Sequence, residues 1–363
     1  MNRENKDKII DEITLNTPRE ELDPRDLIVD VEEQIHFLIK KNLKITDQEE
    51  LKHIIENYGF NRLFRRYSKP FITNINGEEK YKKNTTEITI LQLYYFDYKL
   101  TNILIKYLGL LEAKLTSNIT HSLDLQIPNV VNQASFFSRK RLRNTKNIIK
   151  TNAKNGSTYL QTFVDADIYP GWVLLGNMPF GDKLFLFPKL KNTNSTLKNF
   201  YLEGFDNNSF KTIFFDFIRP FRNISAHFDR LLKFHVQLNS NQISIFKTFM
   251  KKIIPNSNYF NKTMIKNKNK VHSFDLILML TYLLGSSAAE VFFEVLTEFI
   301  SKEKVNINGF LVEEFLVDEK LYNWPNEWKE ILLNVLQAKT KDESSKFNNL
   351  YKSDIPQEED ITK

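Results

Sequence analysis

The sequence contains no cysteine. That absence excludes disulfides, thiol nucleophiles, iron–sulfur clusters and every Cys-ligated zinc site. Glycine and proline are scarce, 10 and 11 in 363 residues, and apolar residues recur at helical rather than alternating spacing. Long hydrophobic runs are missing as well. The longest nearly uninterrupted apolar stretch, Leu276 to Ala289, spans 14 residues between Asp275 and Glu290, short of the roughly 18–20 that cross a bilayer. The first 30 residues are charged throughout and lack the apolar centre of a signal peptide. These features predict a soluble cytoplasmic protein with no membrane segment. Most enzyme templates are also missing: there is no G-x-x-x-x-G-K-S/T, no G-x-G-x-x-G after a strand, no H-E-x-x-H and no G-x-S-x-G. The six histidines, His36, His53, His121, His227, His235 and His272, lack close metal-ligand spacing, so no metal and no cofactor is assigned.

Aromatic residues, by contrast, are plentiful. The chain holds 30 Phe and 14 Tyr, and 41% of it is hydrophobic, enough for a sizeable core. At roughly 100–200 residues per domain the length suits two domains, or one with additions. A helix is predicted around Ile28, Val31, Ile35 and Leu38, with Asp23 as N-cap and Pro24 at its first position. The clearest helix is Ile88–His121, where Leu93, Phe96, Leu100, Ile103, Leu104, Tyr107, Leu111 and Leu115 keep one apolar stripe. Phe210–Phe217, Leu276–Leu284, Ala288–Ile300, Asn308–Leu316 and Trp328–Ala338 also read as helical. Loops are predicted at Ser68–Lys83, Asn152–Gly156, Asn177–Gly181, Asn192–Ser195 and Asn256–Lys270. The expected fold is mainly α: a polar segment over 1–24, a core over 25–250, a smaller helical region over 271–340 and a polar, frayed tail over 341–363.

Charge is segregated along this chain. The net charge is +6, yet residues 1–57 carry net −6 and residues 285–363 net −7, so the segment 58–284 holds +19. Within it, Val131–Val164 is free of acid and contains Arg139, Lys140, Arg141, Arg143, Lys146, Lys150 and Lys154. Arg230–Phe274 is free of acid too, with Asp229 at its border. A third cluster, Arg62, Arg65, Arg66 and Lys69, is interleaved with Tyr58, Phe60, Phe64 and Tyr67. Any one charge run is compatible with an ordinary solvated face. Three in one segment call for a compensating polyanion or for the acidic ends folded back. Nucleic acid fits best, because aromatics among the cations suit unpaired bases.

One stretch carries a chemical pattern. Ile218–Lys233 contains Arg222, Asn223, His227 and Arg230, an R-N-x-x-x-H-x-x-R arrangement. Pro220 suits the first turn of a helix, which would set Arg222 and Asn223 beside free backbone N–H groups, a natural phosphate seat. At about 100° per residue, Asn223, His227 and Arg230 share one helix face, with Arg222 about 140° from His227. Such a set suits metal-free RNA cleavage. A histidine moves protons to or from a ribose 2′-OH or the leaving 5′-oxygen, and an arginine grips the phosphate and offsets charge in the transition state. The products would be a 2′,3′-cyclic phosphate and a 5′-hydroxyl. The same residues admit a structural reading, in which His227 caps or packs a helix and Arg222 pairs with an acid such as Asp216. Asp97 and Glu112, on the long helix, read as partners of Arg62 or Arg66 inside the fold, and Trp172 and Phe180 as core anchors.

R-N-x-x-A-H-x-x-R-L, Arg222 to Leu231, resembles the Abi-like (abortive infection) proteins of bacterial phage defence, of the AbiD/AbiF type, within the HEPN superfamily. Tyr58-Gly59-Phe60-Asn61-Arg62-Leu63 is similar to that family's early G-Y-x-R-L element. Leu93-Tyr94-Tyr95-Phe96-Asp97 with Glu112 and Leu115 resembles its L-Y-x-F-D helix, and Trp172 to Met178-Pro179-Phe180-Gly181 its W-x-x-x-E-x-M-x-F-G segment. The resemblance covers about residues 35–235. It departs at Phe228, where relatives often have a second histidine, and at Gly176, where an acid often sits. It implies a HEPN-like helical bundle with Arg222 and His227 catalytic and Asn223 supporting. It also implies a homodimer that makes a composite site, and a small structured noncoding RNA as partner. Arg230, Arg62, Arg65, Arg66, Arg139, Lys140, Arg141 and Arg143 are the expected RNA contacts. The competing readings are an RNA-binding protein that inhibits by assembly and a protein-interaction module without RNA affinity.

Overall fold

The computed structural model describes residues 30–126, 137–190, 194–200, 202–254, 269–302, 312–318 and 321–353. They are mainly α-helical, as the periodicity predicts, with two small two-stranded sheets. The described residues group into two compact units, one up to Tyr98 together with 312–314, the other from Lys99 onward without 312–314.

In the first unit α1 (Val31–Lys40) packs on α2 (Gln48–Tyr58). Each starts at an aspartate, as orphan N–H groups demand. Asp30 accepts from the N–H groups of Glu32 and Glu33 at 2.9 and 3.1 Å, and Asp47 from Glu50 at 3.0 Å. The cap of the observed helix is thus Asp30, while Asp23 and Pro24 lie outside the described residues. Gly59 ends α2 at φ +82°, a conformation that costs glycine little, and a π-helical turn over Asn61–Arg65 follows. That turn buries Leu63 and Phe64 and leaves Arg62 and Arg65 exposed, as is Arg66 beyond it. The stretch expected as loop at 68–83 instead holds a hairpin, β1 (Ile72–Ile75) paired with β2 (Glu78–Tyr81). Asn76 and Gly77 between them have φ +54° and +86°, the two positive values a type I′ turn requires. The helix α3 (Glu87–Gln126) starts in this unit, where the buried carboxylate of Glu87 accepts from the N–H of Thr46 at 2.8 Å and from its hydroxyl. Its predicted stripe is buried apart from the half-exposed Ile103, and the buried Tyr67 hydroxyl donates to Asp97 at 2.7 Å.

The second unit holds the rest of α3 and α4 (Arg139–Lys154), which packs on α5 (Thr158–Ala166) and α6 (Gly171–Asn177). α7 (Phe180–Leu184) and α8 (Asn194–Asn199) come next. Then α9 (Asn207–Thr212), a π-helical stretch over Ile213–Ile218 and α10 (Arg219–Ala226) form one uninterrupted helical run. Asp206 caps it, accepting from Ser209 at 2.7 Å, and these hydrogen bonds hold its carboxyl below the usual range. Phe210, Phe214, Phe217 and Phe221 give the run a fully buried face. After it come β3 (His235–Gln237), α11 (Ser240–Ile253), β4 (Lys270–His272), α12 (Ser273–Leu283), α13 (Ser286–Lys302), α14 (Val312–Val317) and α15 (Trp328–Ser353). α15 continues to Ser353, so the part of the expected frayed tail before residue 354 is helical.

The first eight residues of the long apolar stretch, Leu276–Leu283, lie in α12, and every residue of α12 is buried. A helix that is apolar all round belongs inside a core, and its last carbonyls then cannot reach water. Lys114 donates to the carbonyl of Leu283 at 2.8 Å, while Lys339, fully buried, donates to those of Thr281 at 3.2 Å and Leu284. Among the described residues no helix is long and apolar enough to cross a membrane.

Lys339→Met leaves two buried carbonyls without donors and should lower unfolding free energy by about 2–3 kcal/mol in urea titration. In the β3–β4 pair His235 faces His272, with ring centroids 5.6 Å apart. Burial, helped by the charges of His235 and Lys270, pushes the His272 imidazole down to about 4. The unfolded chain therefore takes up this proton first, and stability falls as pH drops from about 6.5 toward 4. Between pH 7 and 5 the His272→Asn variant should lose about 1–2 kcal/mol less than the wild type.

Candidate functional site

The R-N-x-x-x-H pattern lies on α10, and Pro220 does not begin a helix there. It sits inside the run that starts at Asn207, so no free helix N-terminus lies beside Arg222 and Asn223. The proline explains the local widening. The Arg219 N–H bonds the carbonyl of Phe214, five residues back. In that register the donor for the carbonyl of Phe215 would be residue 220, and proline has none. The side chain of Arg219 fills the gap, its Nε donating to Phe215 O at 3.3 Å.

The helix ends at Ala226. His227 is its C-cap, and Phe228 follows at φ +49°. Phe228 N–H bonds Ser225 O at 3.1 Å and Asp229 N–H bonds Ile224 O at 3.0 Å, the paired pattern of a Schellman motif, with phenylalanine where glycine is usual. Arg230 is consequently beyond the helix and shares no helix face with Asn223 and His227. It is half-buried, while Asn223 and His227 are exposed.

Arg222 is held by Glu112 of α3, not by Asp216. Its Nε and Nη2 both lie 3.3 Å from Glu112 Oε2. The other carboxylate oxygen, Oε1, is 3.2 Å from Nζ of Lys183 on α7, a lysine only 5% exposed that also donates to Thr116 at 3.0 Å. One carboxylate thus serves two cations and leaves net positive charge. A guanidinium has five N–H donors; Nε–H bonds Glu112 and Nη2 stands in ion-pair contact with it, so at least three N–H donors remain for a ligand. Glu112, expected from the sequence beside Arg62 or Arg66, is taken up here by Arg222, 110 residues away along the chain. Among the described residues the His227 imidazole has no hydrogen-bond or ion-pair partner, and no hydrogen bond joins it to Arg222.

The remaining expected contacts are spread over both units. Arg139, Lys140 and Arg143 are exposed on α4. Arg141 is half-buried, its Nε 2.8 Å from Asp182 and its guanidinium 4.1 Å from the Phe185 ring. In the first unit Arg62 lies 5.8 Å from the Tyr94 ring. Nearby, Tyr58 and Tyr95 join their hydroxyls at 2.7 Å, a bond that pushes Tyr95 up to about 12. Beside Glu112 opens a cleft of about 690 Å³, lined among others by Thr116, His121, Trp172, Gly176 and Lys183. Trp172 is no core anchor: it is 50% exposed and stacks on Tyr159, whereas Phe180 is buried. Lys183 escaped the sequence reading because only folding brings it to Glu112.

Replacing Glu112 by Gln should cost about 2–3 kcal/mol in chemical denaturation, because it strands a buried ammonium. Arg222→Ala, which removes a half-exposed partner, should cost less than about 1 kcal/mol. Equal costs would mean that Lys183 does not depend on this carboxylate.

Residues 53–233 match the family model described as Abi-like protein. The match begins just before the Tyr58-Gly59 element and ends two residues past Leu231. No curated protein and no solved structure matches the chain. Through this segment, which contains Glu112, Lys183, Arg222 and His227, the chain is similar to the Abi-like proteins.

Proposed function

We propose that the protein serves abortive infection, a form of phage defence, by binding RNA, its partner being a small structured noncoding RNA, and by cutting RNA without metal at Arg222 and His227. One observation carries this reading: a guanidinium fixed by Glu112 with three N–H donors to spare, five residues before an exposed imidazole with no partner of its own. The cationic segment 58–284 supplies the long-range attraction for a polyanion.

In the cleavage reaction the ribose 2′-oxygen attacks the neighbouring phosphorus and the bond to the 5′-oxygen breaks. One imidazole accepts the 2′-OH proton and another donor protonates the leaving oxygen. Arg222 faces the non-bridging oxygens as their charge grows, and it needs little reorganisation because Glu112 already orients it. A homodimer with two α10 helices facing each other provides the second histidine. HEPN-type chemistry of the AbiD/AbiF kind is what this arrangement amounts to.

A second reading has its own support. Arg222 is already committed to Glu112, and His227 sits at a helix end without contact to it. In this form the pair only grips the RNA backbone and inhibition comes from assembly.

Incubating the purified protein with RNA in EDTA separates the two. Cleavage that persists in EDTA and drops by about 100-fold or more in His227→Ala, with binding unchanged, supports the enzyme. Binding without cleavage in either form supports assembly. No RNA affinity at low salt contradicts both.

A further inference from the structure

Next to Arg222 lies a cluster of cations that the R-N-x-x-x-H pattern does not include. Arg219 is three residues earlier on α10, close to Arg222 on the helix surface. Its guanidinium carbon is 3.5 Å from the centroid of Phe215, and its Nε is tied to the carbonyl that Pro220 leaves without a donor. Phe215 meets Phe185 edge to face at 5.0 Å. Lys211 lies 5.0 Å from the Phe185 ring and 6.0 Å from that of Phe215, and Arg141 is 4.1 Å from Phe185.

Three cations therefore converge on two rings. Only Arg141 has a carboxylate, Asp182; among the described residues neither Lys211 nor Arg219 has an ion-pair partner. The aromatic faces hold these charges in place without neutralising them, and holding like charges together leaves an outward positive potential. Gly181 completes the seat. A Cβ there would stand 3.3 Å from Nη1 of Arg219 and 3.5 Å from its Cδ. Gly181 closes the Met178-Pro179-Phe180-Gly181 segment, a sequence feature that the Arg222–His227 chemistry does not use. Each ring already has two cations within 6.0 Å of its centroid, so the fitting ligand is a chain of phosphates and not a stacked base.

We propose that Arg219 and Lys211, with Arg141 anchored on Asp182, form a phosphate-binding strip that holds the RNA backbone beside Arg222 irrespective of base sequence. The proposal rests on the RNA-binding reading above. Arg219 is pinned before any ligand arrives, so it loses little conformational freedom on binding.

The test is the salt dependence of affinity for a labelled single-stranded RNA of mixed sequence, measured by anisotropy with the full chain between about 50 and 200 mM salt. Arg219→Ala and Lys211→Ala should each flatten the slope of log affinity against log salt by about 0.7, equally on two unrelated sequences. Lys211→Ala breaks no backbone hydrogen bond and carries the test should Arg219→Ala prove unfolded by its thermal melt. Unchanged slopes in folded variants, with Arg222→Ala still weakening binding, overturn the strip and leave the RNA reading standing. A wild type with no affinity at low salt overturns both, and a change confined to one RNA sequence overturns the phosphate assignment.

Discussion

The missing N–H of Pro220 is the constraint from which the site takes its form. A helix cannot carry proline in its interior without losing a backbone bond. Here the loss falls in a π-helical widening, and the stranded carbonyl of Phe215 takes its hydrogen bond from Arg219. Run and site are therefore one device. The buried Phe face fixes the helix in the core, the widening sets where α10 resumes, and Arg219, Arg222 and His227 are placed by that register. Ending the helix at His227 through a left-handed phenylalanine gives up some stability, and it leaves the imidazole on the surface instead of along a helix stripe.

Glu112 has a comparable place in the electrostatics. It ties α3 to α7 through a nearly buried lysine and to α10 through a half-exposed arginine. A carboxylate shared by two cations orients both and satisfies neither completely, which leaves net positive charge at this point. The same logic recurs at Asp182, which holds Arg141 and leaves Lys211 and Arg219 uncompensated. Positive charge in this unit is thus fixed in position by single acids and aromatic rings.

Local periodicity made much of the fold legible. The stripe from Leu93 to Leu115 announced α3, and the apolar stretch at Leu276 announced a helix too short for a bilayer, which proves to be an interior one. What escaped depends on long-range or unusual geometry. The Asn76-Gly77 hairpin was a readable signal hidden in a polar stretch taken for loop. Pro220 looked like a helix start because proline suits a first turn, and nothing local reveals that the helix already ran from Asn207. Arg230 was placed on a face that the Schellman turn removes. The partners of Arg222 and Lys183 are 110 and 71 residues away, beyond any spacing rule, although Glu112 itself stood out within the long helix.

Ultraviolet crosslinking of the RNA-bound native protein, followed by mass spectrometry of the peptides, tests most directly whether this cationic body is an RNA seat centred on α10. Nucleotide adducts are expected on peptides spanning residues 211–230 and should be lost in Arg222→Ala. Adducts confined to other parts of the chain, or none on a particle that demonstrably carries RNA, would contradict that placement.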